Sequence, residues 1–403
     1  RFAALQLIFV ALATVLVASV GTVTYVGIWA EERQHLAGVV VVVVMAMGGL
    51  LLTLGTGLMM LCASSHVGHF SLAAGCIQAA AGVVISQPSL LVWPLLQLAI
   101  NPSVIALTLC GLLSLASIGE ITAQGGVRRT FERWDEATFW CSLFWLVGSY
   151  WVLEFFQALG RFVVGYSVSL WYLAPFAKPP GMGKSVPALA PLRGLWLGLR
   201  YHIGSFALGA ILAGTLSRVV KNVTYFVGLS PCEGSPVVSC IWGVCEPMRA
   251  CYYNCLHCWT PDAYIDQAQS SRDFRPASMY AVELLERRDR KVAILSTSSW
   301  FFMAIGYVAV PCTSFGFALV VAVNTAPLND PESPYFVHDP GMFAALAAAI
   351  GLVTSAALLH VLDAAAETLL YCLVRDFQAC RMPITHAPRD LLDVYAEVRE
   401  EED

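Results

Sequence analysis

Long apolar runs separated by short polar breaks organise the chain. A helix needs about 20 mostly apolar residues to cross the hydrocarbon core of a bilayer. The stretches 4–29, 37–63, 88–118, 139–175, 195–220, 294–323 and 342–374 all reach that length. The Gly-containing run 67–86, closed by Gln87-Pro88, reads as a further span. The run 232–260, rich in Cys and Trp and bearing Glu246 and Arg249, reads as a span or a re-entrant segment. Together they predict an all-α, polytopic membrane helical bundle with about nine spans in this chain. Residues 1–376 form its transmembrane domain, and 377–403 form a polar C-terminal tail. One stretch, 264–290, has a different pattern: Met279, Val282 and Leu285 share one face, while Glu283, Glu286, Arg287 and Arg290 share another. That pattern predicts a helix lying along the inner membrane surface.

Composition agrees with lipid as the solvent. The chain is 58% hydrophobic and 13% charged, with mean hydropathy +0.68, whereas soluble domains carry roughly a quarter charged residues. So few charges cannot cover a soluble globule, which excludes a soluble enzyme. The net charge of −5 comes without a basic stripe, so no nucleic-acid partner is expected. Arg1-Phe2 runs straight into an apolar segment. That segment is longer than a signal-peptide core and has no small-residue cleavage site, so it reads as the interior of a longer chain.

Lys and Arg in short loops set orientation. The 324–341 loop holds Asp330, Glu332 and Asp339 and no basic residue, and should face outward. The basic 261–292 segment, the 177–193 loop with Lys178, Lys184 and Arg193, and the tail after Arg375 should face the cytoplasm. Counting back through the spans places Arg1 and the 119–137 loop outside, although that loop carries Arg128, Arg129 and Arg133. The sequon Asn222-Val223-Thr224 falls on the same outer side. Cys232 and Cys240 lie in a loop where an oxidising compartment would permit a disulfide.

The candidate chemistry is sparse. Cys251, Cys255 and Cys258 have a C-x3-C-x2-C spacing that can hold an iron–sulfur cluster, or zinc with His257. No cofactor loop or α/β pattern follows them, so packing or lipid modification near the interface is the reading taken. No phosphate-binding loop, dinucleotide fingerprint or Ser/His/Asp set stands out. Accordingly no catalytic residue, metal site or cofactor is assigned, and the protein is not expected to be an enzyme.

Ionisable residues within spans are costly in lipid and mark functional sites by default. Glu154 and Arg161 lie seven residues apart and share a face of the 139–175 span. Arg161 can also snorkel to the interface. His360, Asp363 and Glu367 form another stripe, readable as a packed polar seam or as the lining of a hydrated path. Trp140 and Tyr172 sit where interface anchors belong. Trp145, Tyr150 and Trp151 lie deeper, and with Glu154 they can hold an organic cation by ring quadrupole and charge. The same residues can simply pack helices. Trp145 and Trp151 point about 120° apart at 3.6 residues per turn, so Trp151 with Glu154 is the better-matched pair.

The segment Leu199-Arg200-Tyr201-His202-Ile203-Gly204-Ser205-Phe206-Ala207-Leu208-Gly209 resembles the signature of the choline transporter-like family, solute carrier family 44. Three more features follow the family's order. They are the aromatic span from Leu143-Phe144-Trp145 to Trp171-Tyr172, the Cys-rich run ending Cys258 before Asp262-Ala263-Tyr264-Ile265, and Glu367-Thr368-Leu369-Leu370-Tyr371-Cys372 closing the last span. The resemblance covers about 139–376; Asp262 stands where the family usually has Asn, and Glu367 where it usually has Asp. It implies ten spans, one of them preceding this chain with a large extracellular loop. It also implies facilitative transport of choline, or of ethanolamine, without a cofactor. The candidate binding residues are then Trp145, Tyr150, Trp151 and Glu154, with His202 or Glu367 across the path. Membrane lipids are the other expected partners. The plasma membrane is the expected location, with organellar membranes, mitochondrial included, as the alternative. The rival reading is a non-transporting structural, lipid-binding subunit of a larger membrane assembly.

Overall fold

The computed structural model describes residues 67–117, 121–124, 128–131, 136–175, 184, 186–217, 256, 258–286, 290–378 and 387. The predicted spans at 4–29 and 37–63, nearly all of 232–260, the sequon, Cys232, Cys240, Cys251 and Cys255 lie outside them. The described residues are helical apart from one antiparallel hairpin within the 119–137 loop, β1 (Ile121–Gln124) with β2 (Arg128–Phe131), in which Ile121 pairs with Phe131.

The helices run in chain order as α1 (Val67–Ser86), a 3-10 turn (Pro88–Leu91), α2 (Val92–Ala116), α3 (Glu136–Leu173), α4 (Ala190–Tyr201), α5 (Ile203–Gly209), a π-helical segment (Ala210–Ser217), α6 (Ala263–Ser270), α7 (Phe274–Glu286), α8 (Arg290–Asn324), α9 (Ala326–Asn329) and α10 (Pro340–Gln378). Among the described residues four stretches are long and apolar enough to cross a membrane: Pro88–Ala116, Glu136–Leu173, Gly306–Asn324 and Pro340–Gln378. The pair α4 and α5 with its π-helical extension makes a fifth if counted as one broken span, bent by 83°. Three of the nine expected spans lie outside the described residues or nearly so; of the six others, four or five pass this test. One predicted straight span, 195–220, is instead two half-helices. At ~1.5 Å per residue, α3 and α10 exceed a core of ~30 Å and must tilt or project beyond it.

The predicted surface helix is also revised. It is two helices, α6 and α7, separated by Ser271 in the left-handed region at φ 55°. The Ser271 N–H closes α6 by donating to the Gln267 carbonyl at 2.9 Å. Tyr264, Ile265, Phe274, Ala277, Ala281 and Leu284 are buried against protein, while Met279 is exposed. The apolar face packs inward because α6 lies against α3.

Two compact units divide the chain, 1–85 with 289–366 and 387–403, and 86–288 with 367–386. In the first, α8 and the 340–366 part of α10 approach closely at small residues. A Cβ on Gly306 would meet Leu359 at 2.6 Å, and one on Gly351 would meet Ser314 Oγ at 2.6 Å. Small residues permit such approach where no hydrophobic effect drives helices together. Asp339 begins α10 by accepting from the Gly341 N–H at 3.0 Å, an N-cap followed by Pro at the first helical position.

In the second unit α3 is the central element, packed by α2, α4, α6 and the π-helical segment. Glycines on its neighbours receive its rings. Gly194 sits 3.0 Å from Tyr166, and Gly198 sits 3.2 Å from both Leu159 and Phe162, measured from a built Cβ. In return Gly160 of α3 accepts the indole of Trp93 from α2. Buried Gln97 donates to Gln157 at 3.2 Å across the same α2–α3 contact.

Candidate functional site: the broken span against the aromatic helix

The Leu199–Gly209 signature lies on the break. His202 leaves helical geometry at φ −122°, ψ 11°, between the end of α4 and the start of α5. Its N–H still donates to the Gly198 carbonyl at 2.9 Å, and its carbonyl accepts from the Phe206 N–H at 3.0 Å. The backbone groups of the break are thus satisfied within the chain, as a helix interruption at membrane depth requires. Discontinuous spans and π-helical segments both recur at functional sites.

An aromatic cluster fills the inside of the bend. Phe206, fully buried, stacks edge-on to Phe162 at 5.2 Å and Phe155 at 6.4 Å, and meets Tyr264 at 6.0 Å. His202 lies 5.4 Å from Phe162, and its Nδ1 is buried without a hydrogen-bond partner. Gly209 has no side chain because Tyr264 Oη and Phe274 occupy that space.

One turn beyond, α3 turns three of the predicted residues toward residues 207–214. The Trp151 indole N–H donates to the Ala207 carbonyl at 3.0 Å. The Tyr150 hydroxyl reaches the Gly214 carbonyl at 3.5 Å. The Glu154 side chain, only 6% exposed, lies where a Cβ on Gly214 would stand, 2.6 Å from its Oε2. A carboxylate and a phenol therefore meet the π-helical segment at Gly214, while the indole meets α5 at Ala207.

The other candidates lie elsewhere. Trp145 faces α2, donating to the Thr108 carbonyl at 3.1 Å and covering Gly111. His202 packs against Phe162, which is eight residues along α3 from Glu154, ~12 Å at 1.5 Å per residue. Glu367 is held by Arg161, whose Nη1 donates to its Oε2 at 2.6 Å. Their side chains are 25% and 13% exposed respectively. Arg161 is thus an intrahelical-bundle partner in this arrangement and does not snorkel. Of the stripe on α10, His360 and Asp363 belong to the first unit and Glu367 to the second. Sequence reasoning missed Gly209 and Gly214, which admit Tyr264 and Glu154; glycines five apart in an apolar run were the available signal. It also missed the Tyr371 hydroxyl donating to fully buried Asp266 at 3.0 Å, for which no local signal exists.

A family model described as plasma-membrane choline transporter matches residues 50–378. The chain belongs to the choline transporter family. The match takes in the broken span, the aromatic helix and α10 together. Among relatives, choline transporter-like protein 1 of Mus musculus is 24% identical over 188 residues, covering 44% of this chain and 26% of its own length. Choline transporter protein 1 of Arabidopsis thaliana is 24% identical over 273 residues, 64% of this chain and 37% of its own. Choline transporter-like protein 4 of Homo sapiens is 25% identical over 185 residues, 44% of this chain and 24% of its own. These matches span about a quarter to two fifths of the relatives' lengths.

The Gly214 contact makes a prediction for this choline transporter family member. Gly214→Ala places a methyl 2.6 Å from Glu154 Oε2 and 3.0 Å from its Cβ, so the carboxylate must swing away and the helix contact must open by a few tenths of an ångström. Overpacking of this kind costs about 1–3 kcal/mol, and choline uptake at matched protein amount should fall on the order of tenfold. Gly204→Ala, where a Cβ meets nothing within 4 Å, should leave uptake unchanged. Equal uptake by the two variants would separate Gly214 from the site.

Proposed function

We propose that this chain is a facilitative membrane transporter of choline or a closely related organic cation, and not an enzyme. The observation that carries the reading is buried Glu154 beside Trp151 and Tyr150, at the π-helical half of a broken span. An acidic residue within a span marks a functional position by default, and a carboxylate attracts a permanent cation without exchanging a proton. Aromatic faces replace the hydration that a quaternary ammonium loses on entering. Family membership supports choline as the substrate to test first and ethanolamine as the second, with the plasma membrane as the expected location.

The test is uptake of radiolabelled choline into proteoliposomes holding the purified chain. Saturable uptake above empty liposomes is expected, and Glu154→Gln should reduce it to background while the protein remains folded. Absence of saturable uptake by wild type would discard the transport reading in favour of a structural, lipid-binding role.

A further inference from the structure

A cavity with both polar and apolar walls lies at the C-terminal end of α3, away from Glu154. Its volume is about 380 Å³, within the roughly 300–1,000 Å³ range of small-molecule sites. Three elements of the second unit enclose it: Tyr166, Ser169 and Tyr172 from α3, Gln269 from α6, and Arg375 and Asp376 from α10. None of these residues contributes to the cation site described above.

The wall is ordered by a chain of hydrogen bonds. Arg375 Nη1 donates to Gln269 Oε1 at 2.6 Å. Gln269 Nε2 donates to Ser169 Oγ at 2.9 Å and lies 3.1 Å from Cys372 Sγ. The Tyr172 hydroxyl donates to Asp376 Oδ2 at 3.0 Å. The Lys184 ammonium donates to the Tyr172 carbonyl and sits 4.6 Å over the Trp171 ring. Burial pulls the Lys184 ammonium down to about 8, against the opposing charges of Cys372 and Asp376.

Among the described residues the charged groups lining the cavity are Arg375 and Asp376, the latter already accepting from Tyr172. Among the described residues the guanidinium of half-buried Arg375 is paired with a neutral amide and with no carboxylate. Its position in the last turn of α10 is favourable to the helix dipole. That effect needs only an exposed cation, and does not account for the oriented Gln269 amide that aims the guanidinium along the cavity wall. A planar guanidinium with free donors is matched by an oxyanion, phosphate above all. Beside it, the remaining acceptor capacity of Asp376 and the ring of Tyr166 suit an ammonium group, the Tyr172 ring being buried and already 5.5 Å from the Lys184 ammonium. Half-exposed Leu173 completes the lining at the C-terminal end of α3. A phospholipid headgroup and a soluble phosphate ester share the chemistry that this lining matches.

We propose that this cavity is a second binding site, for a phosphate ester that also carries an ammonium group, with the phosphate on Arg375 and the ammonium against Asp376 and Tyr166. The inference stands on this cavity alone and does not rest on the transport reading.

The test uses the full chain, with two probes that separate the sources of the ligand. Soluble phosphocholine is titrated calorimetrically into detergent-purified protein, and phosphatidylcholine retained from nanodiscs is counted by native mass spectrometry. Phosphocholine should bind more tightly than choline or inorganic phosphate alone if the ester arrives from solution. One retained phosphatidylcholine per chain is expected if it arrives as a headgroup. In either case Arg375→Gln should weaken binding about tenfold or more, and Arg375→Lys should recover part of it. Ala268→Leu fills the cavity without removing a charge and should block the same ligand, which keeps the test decisive if Arg375→Gln folds poorly. The site is overturned if neither ligand binds wild type, or if binding is unchanged in folded Arg375→Gln and Ala268→Leu. Loss of choline uptake in proteoliposomes would leave the result intact.

Discussion

Trp151→Ala is expected to raise the half-saturating choline concentration about 30-fold, since a desolvated cation–π contact contributes around 2 kcal/mol and ~1.4 kcal/mol is tenfold. Trp151 is 38% exposed, is oriented by its bond to the Ala207 carbonyl on the broken span, and precedes Glu154 by three residues on α3. Trp151→Phe keeps a ring while losing the indole donor, and should cost much less than the alanine. Trp140, exposed and edge-on to Phe139 at 5.5 Å, is the control: Trp140→Ala should leave the uptake curve in place. Uptake curves measured at matched amounts of protein decide the matter. A wild-type curve for Trp151→Ala would remove Trp151 from the site.

The Arg161–Glu367 pair should dominate stability. Removing one partner from a buried ion pair leaves an uncompensated charge and typically costs 3–5 kcal/mol. Partial exposure of Glu367 places the cost toward the lower end. At roughly 2–4 °C per kcal/mol for a domain of a few hundred residues, Arg161→Met should lower the melting temperature by on the order of 10 °C. Glu367→Leu should do likewise, stranding the guanidinium. The double variant Arg161→Met with Glu367→Leu should recover most of the loss, because an apolar pair of similar volume replaces a pair that was costly to desolvate. Additive losses in the double variant would show that the two residues act separately. The same double variant also separates the candidate counter-ions. If Glu154 alone neutralises the substrate, the double variant still takes up choline. Loss of uptake with normal folding would bring Glu367 into the site.

The apolar runs at 88–118, 139–175 and 342–374 fold as helices within a few residues of their predicted ends. A bilayer allows few alternatives, because every backbone polar group must be satisfied within its own segment. Aromatic and acidic residue types on α3 were legible for the same reason: Trp151 and Glu154 are three residues apart, and helical periodicity alone puts them on one side. The signature Leu199–Gly209 carried the family, since a run of specified residues is a property of the sequence itself.

What the chain does with those residues was decided in three dimensions. The 83° bend at His202 is invisible in a hydropathy pattern that stays apolar across it. It depends on Phe162, Phe206 and Tyr264 filling the inside of the corner, and these come from three different elements. Trp145 and Trp151 share a helix, yet one meets Thr108 and the other Ala207, because α2 and α5 pack on different sides of α3. Glu367, readable from sequence as part of a packed seam or of a hydrated path, is neutralised by Arg161, 206 residues away in sequence. A one-dimensional pattern reports which residues face lipid and which share a helix face. It holds no information about which distant side chain neutralises a charge or fills a glycine's notch, because those depend on how helices approach one another.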